Sequence, residues 1–182
     1  MHLASVTAAG SAASDRLLGD VVARLRAEGA RVLGALRPVR PDGDPGFCES
    51  DLWLLPDGPT VRITQDLGPG SSACRMDAAA LEDAVGRVMA RFTADGADLI
   101  VLNKFGLSEA EGRGFRALIA EALARGIPVL TGLSETHRAA FEHFAEGLGV
   151  ALPPEEKTVL AWCRSALGRP MAGLPAEEEA RA

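Results

Sequence analysis

Two periods run through the apolar positions of this chain, and they alternate along it. Leu17, Leu18, Val21, Val22 and Leu25 recur at helical spacing. Ser14 precedes them as an N-cap and Gly29 follows as a helix stop. Short apolar runs flank that helix, at 2–8 and 31–36, and both predict strands. Residues 37–50 hold three prolines and two glycines and predict a loop. Two further apolar runs, 51–55 and 60–65, are joined by Pro56-Asp57-Gly58-Pro59, which predicts a hairpin.

Beyond the glycine- and serine-rich stretch 68–72, Asp77 caps a helix that carries Leu81, Val85, Val88, Met89 and Phe92. The most strand-like run of the chain follows, at 98–103. A helix over 108–125 turns Phe115, Leu118, Ile119, Ala122 and Leu123 inward. Residues 126–131 read as the last strand. Ser134 opens another helix, and Pro153-Pro154 separates it from a final one containing Leu160 and Trp162. Strands alternating with helices predict an α/β fold with a mostly parallel sheet. The hairpin breaks the alternation and is expected as an antiparallel extension at one edge. Residues 1–168 read as a single domain and 169–182 as a disordered tail.

Composition narrows the function classes. Apolar residues make up 47% of 182, enough for one full-sized core. A net charge of -6 and a pI of about 5.1 argue against a nucleic-acid partner. No apolar run approaches the ~18 residues that cross a bilayer, and no signal-peptide pattern opens the chain. Cys48, Cys74 and Cys163 form no C-x-x-C pair, which fits reduced thiols and a cytoplasmic location. His2, His137 and His143 lack zinc-ligand spacing, so no metal site is expected.

The candidate chemistry gathers at three strand-to-helix or loop-to-helix junctions. Asn103 is the chain's single asparagine and Lys104 one of its two lysines, side by side where the 98–103 strand ends. Ligands of α/β proteins bind at the carboxyl ends of strands. Asparagine offers a carbonyl oxygen without charge and lysine brings a cation, so the pair favours an anion. Gly106 follows. Ser108 and Glu111 match a capping box, Glu109 is spaced to pair with Arg113, and Gly112 and Gly114 around Arg113 suggest close packing or a ligand. At the second junction Gly10, Ser11 and Ser14 stand where a phosphate-binding loop would stand, without the G-K-[ST] ending. An ordinary capped turn is the competing reading. At the third, Cys74 and Arg75 precede the Asp77 cap; Arg75 would face an anion, and a buried thiol competes with a reactive one at Cys74.

The motifs Gly-Ser-Ser-Ala-Cys-Arg-Met-Asp at 70–77 and Asn-Lys-Phe-Gly-x-x-Glu-Ala-Glu-Gly-Arg-Gly at 103–114 resemble those of a bacterial family of unknown function. The resemblance covers residues 3–152 and implies genes beside molybdate-uptake or nitrogen-fixation genes. The layout is also similar to the nucleoside-triphosphatase family of P-loop proteins. That similarity implies a three-layer, P-loop-like fold with Asn103 to Gly106 in the place of an Asp-Glu-x-Gly sequence.

The expectation from sequence is a degenerate P-loop-like domain that binds an oxyanion, molybdate ahead of a nucleotide, and does not hydrolyse nucleoside triphosphates. Its ligand-binding residues would be Gly10, Ser11, Ser14, Cys74, Arg75, Asn103, Lys104, Gly106, Glu109 and Arg113, converging in one cleft. Its partners would be a small anion and a second copy of the chain. A hydrolase using Glu109 or Glu111 is the first rival. A protein-interaction module using the Cys74 loop and the terminal helix is the second.

Overall fold

The computed structural model describes residues 2–38, 51–65 and 75–168. The chain opens with β1 (Leu3–Val6) and α1 (Ser11–Ala27), then returns through β2 (Val32–Leu36). A hairpin of β3 (Asp51–Leu55) and β4 (Thr60–Arg62) follows. Two short strands, β5 (Thr64–Gln65) and β6 (Arg75–Met76), pair with each other apart from the main sheet. Next come α2 (Ala78–Asp95), β7 (Leu99–Phe105), α3 (Leu107–Ala110), α4 (Arg116–Ala124) and β8 (Val129–Leu133). A 3-10 turn at Glu135–His137 leads into α5 (Arg138–Ala145), β9 (Gly149–Leu152) and α6 (Glu156–Ala166).

The sheet runs β4-β3-β2-β7-β8-β1-β9. Its five strands from β2 to β9 are parallel, and β3 and β4 extend it antiparallel beyond β2. Side chains of β7 alternate between two cores. Leu99 and Val101 pack with Leu18, Val21, Val22 and Leu25 of α1 and with Val159 and Leu160 of α6. Ile100, Leu102 and Phe105 pack with α2, α4 and α5 on the other face. Burial on both faces is why these strands read as continuous apolar runs. The result is a three-layer α/β/α domain with an antiparallel hairpin, as expected from sequence. Among the described residues no helix is long and apolar enough to cross a membrane.

Several sequence expectations are corrected. Helix α1 begins at Ser11 with Gly10 at its N-cap, so Ser14 lies inside the first turn and is not the cap. The segment 108–125 is two helices, because the backbone turns left-handed at Gly112 (φ 84°) and Gly114 (φ 61°). The strand at 126–131 is not the last. Helix α5 stops at Glu146 (φ 47°) and Gly147 (φ 80°), and Gly149–Leu152 adds β9 outside β1. That strand is half exposed at the sheet edge, so it carries no alternating apolar signal. The second hairpin strand is shorter than the 60–65 run, since Thr64 and Gln65 turn away to pair with Met76 and Arg75. Asp77 caps α2 as expected, accepting from the Ala80 N–H at 3.0 Å. Most of the 37–50 loop, the 68–72 stretch, Cys48, Cys74 and the 169–182 tail lie outside the described residues.

Candidate functional site

Strand β7 does not reach its end in regular register. Leu102 pairs with Thr131 and Phe105 with Leu133, three steps on β7 against two on β8. The extra residue makes a β-bulge at Asn103-Lys104, a device that re-aims side chains beside sites. Its partner strand accommodates it with glycine: a Cβ on Gly132 would lie 2.1 Å from the Asn103 carbonyl oxygen. Beyond the bulge, Phe105 is fully buried, edge-on to Phe141 with centroids 5.3 Å apart, and fixes where β7 ends. Asn103 is left half-buried, its Oδ1 lacking a hydrogen-bond partner, and Lys104 is exposed.

The stretch after β7 is organised by one carboxylate. Glu109 is buried, and its two oxygens accept from the Gly106 N–H (3.0 Å) and the Phe115 N–H (3.1 Å). It therefore joins the start of α3 to the start of α4. Its carbonyl accepts from Arg116 (3.2 Å), whose guanidinium lies over the Phe144 ring. Gly114 is required on two counts. Its φ is 61°, and a Cβ there would sit 2.4 Å from the Glu109 carboxylate. The Gly114 N–H donates to Glu82 of α2 (3.0 Å), which ties the turn to the neighbouring helix.

These contacts revise two local expectations. The carboxylate that reaches back to a helix start is Glu109, to Gly106, and not Glu111 to Ser108. Arg113 pairs with Glu111 and not with Glu109, because the helix that would have stacked positions 109 and 113 breaks between them. Glu109 turns inward, which leaves Arg113 and Glu111 together on the surface.

A cavity of about 200 Å³ opens against this stretch. Asn103, Lys104, Gly106, Ser108 and Glu109 form one wall, and Arg37 and Asp51 face them from the ends of β2 and β3. Asp51 is paired with Arg62. Leu52, Ile63 and Phe115 supply an apolar floor, and Met76 and Leu107 the rim. Of the residues expected to bind ligand, the cavity thus brings together Asn103, Lys104, Gly106 and Glu109. Gly10 lines a separate open cavity with Arg16, Asp20 and Glu156. Ser11 begins α1 beside it. Ser14 is buried, and its Oγ accepts from the Ala8 N–H (3.3 Å), closing the β1–α1 turn on itself. Arg75 lies exposed in β6 opposite Gln65, and Arg113 is held by Glu111 outside the Lys104 cavity. Cys74 is outside the described residues.

Sequence reasoning passed over Arg37, Asp51 and Met76, which reach the cavity from three other elements. A run of prolines after Arg37 masked the first, and only the pairing of β5 with β6 brings Met76 close. Among the described residues, no three histidine, cysteine or acidic side chains gather as a metal site.

Comparison with known proteins fits this architecture. The solved structure of THEP1 from the hyperthermophile Aquifex aeolicus is similar with a TM-score of 0.64 and 14% identity, over 93% of this chain and 100% of that one. The solution structure of a human cancer-related nucleoside triphosphatase is similar with a TM-score of 0.57 and 18% identity, over 83% of this chain and 87% of that one. The fold is thus that of the P-loop nucleoside triphosphatases. In sequence, the chain is 39% identical over 155 residues to a molybdenum import ATP-binding protein, ModC 2, of Bradyrhizobium diazoefficiens. That match takes in 85% of this chain and 17% of the relative, so the chain spans about a sixth of the length of the protein it matches. The model of a family described as "Protein of unknown function (DUF2478)" matches residues 3–162, and with that match over most of its length the chain belongs to the DUF2478 family.

Proposed function

We propose that this domain holds an anionic ligand at the carboxyl end of β7, in the handling of molybdate or another metal oxyanion, and does not hydrolyse nucleoside triphosphates. The observation that carries the reading is the bulge that sets Lys104 and Asn103 on the wall of the cavity. Lys104, exposed on the wall, supplies the charge. Of the acidic groups nearby, Asp51 is paired with Arg62, and both oxygens of Glu109 are turned to backbone N–H groups. The similarity to a protein named for molybdenum import supports the physiological setting, although it covers 17% of that protein.

The residues present do not suit a magnesium nucleotide. Such a site needs a lysine after the first glycine turn and a hydroxyl directed at the metal. Here no lysine lies between β1 and Lys104, and the Ser14 hydroxyl is turned back to Ala8. At the end of β7 the acidic pair that would hold magnesium and orient water is replaced by Asn103 and Lys104. Glu109 and Glu111, the carboxylates a hydrolase would have to use, are bound to backbone N–H groups and to Arg113. These placements support binding without turnover.

A thermal-shift series with molybdate, tungstate, phosphate and magnesium-ATP, run beside a phosphate-release assay, tests the proposal. Oxyanions at millimolar concentration should raise the melting temperature of the wild type and not that of Lys104→Ala, with no phosphate released from ATP. Stabilisation that requires magnesium and ATP, accompanied by turnover, would replace the proposal with a hydrolase.

A further inference from the structure

We infer that the anion site beside Lys104 prefers one end of a small organic molecule, an organic oxyanion such as an aryl phosphate monoester, over a bare tetrahedral ion. This deepens the anion-binding reading and rests on it. Met76 and Leu107 are 49% and 58% exposed, two of the large apolar side chains most open to solvent among the described residues, and both stand on this cavity. They come from different elements, β6 and α3, and meet only here. Met76 is held in place, its sulfur accepting from the Ser108 hydroxyl at 3.4 Å. Below the rim, Leu52, Ile63 and Phe115 continue the apolar surface inward and are themselves buried.

Size points the same way. A cavity of roughly 150 Å³ accepts one benzene ring, and this one measures about 200 Å³. A bare oxyanion would gain nothing from the six apolar side chains of the lining. A charged group against Lys104 with a flat apolar body between Met76, Leu107 and the floor matches the exposed cation and the apolar part of the wall. Ligand sites commonly have this division, a mostly apolar lining with a few polar groups that fix orientation.

Isothermal titration of the full chain with phenyl phosphate, inorganic phosphate and molybdate tests this, with Leu107→Ser/Met76→Ser and Lys104→Ala as variants. All three substituted side chains are solvent-exposed, so the variants should fold, and circular dichroism melts confirm it. We expect phenyl phosphate to bind at least tenfold tighter than either bare ion. The serine variant should lose that advantage while keeping its affinity for inorganic phosphate, and Lys104→Ala should weaken all three. Equal affinities for the three probes, or an unchanged preference in the serine variant, would overturn the organic ligand and leave the anion site standing. No binding of any probe would overturn both readings.

Discussion

Lys104 and Glu109 stand five residues apart and do opposite work. Lys104 is exposed on the cavity wall, and no hydrogen bond or ion pair holds it among the described residues. Its replacement by alanine should change stability by no more than ~0.5 kcal/mol, while removing the response to oxyanions. Glu109 accepts one backbone N–H on each oxygen, and a glutamine there would set its NH₂ against a donor. Leaving a buried N–H unpaired costs about 1–3 kcal/mol. Glu109→Gln should therefore lower the melting temperature by several degrees, at about 2–4 °C per kcal/mol for a chain of this size. Thermal melts of the two variants side by side separate the binding residue from the structural one. Cys163 offers a third check. Burial pushes its thiol from 9.0 up to about 12, so folding favours the neutral form. The associated stability, on the order of a few kcal/mol, is complete below pH 9 and is lost as the pH rises toward 12. Melts between pH 8 and 11 should fall more steeply for the wild type than for Cys163→Ala. At pH 8 the native Cys163 should resist alkylation by iodoacetamide, as read by mass spectrometry.

At the scale of elements, the site depends on a bulge and a broken helix, and these are what the sequence hid. The rarity of asparagine and lysine in the chain marked 103–104, and the apolar run marked β7. The extra residue in β7 is defined only against β8, so no reading of β7 alone could find it. Gly132, the residue that admits the bulge, sits in an ordinary apolar run where a glycine signals nothing by itself. Gly112 and Gly114 did carry a signal, the cost of glycine inside a helix, and close packing against Glu109 explains Gly114. Helical periodicity on either side made 108–125 look continuous all the same, and that misplaced the Glu109 and Arg113 partners. Gly132→Ala should force the Asn103 carbonyl away from a Cβ that would lie 2.1 Å from it. We expect a loss of several kcal/mol, in the range of overpacked cores or beyond, together with weakened oxyanion binding; denaturant melts and titration measure the two. Phe105→Ala, emptying a fully buried ring position, should cost about 3–5 kcal/mol.

On the scale of the whole molecule, the alternating pattern revealed more than any motif did. The parallel sheet was legible because strands buried on both faces and helices with one apolar face leave strong signals, and the hairpin because of its Pro-Asp-Gly turn; the three layers came only from the family resemblance. The half-exposed edge strand β9 left none. The single cleft expected from sequence divides in the structure, with Gly10 on one cavity and Lys104 on another. The molecule carries a net charge of -6, so an anion would have to be held by Lys104 against the overall field. The central claim is therefore a claim about one side chain. Its most direct test is the affinity of the wild type and of Lys104→Ala for molybdate and phosphate, measured by titration at fixed ionic strength. The account predicts measurable binding by the wild type and a loss of at least tenfold in the variant, with both proteins melting within a degree or two of each other. Equal affinities in the two proteins would contradict it and would move the anion, if one binds, away from the end of β7.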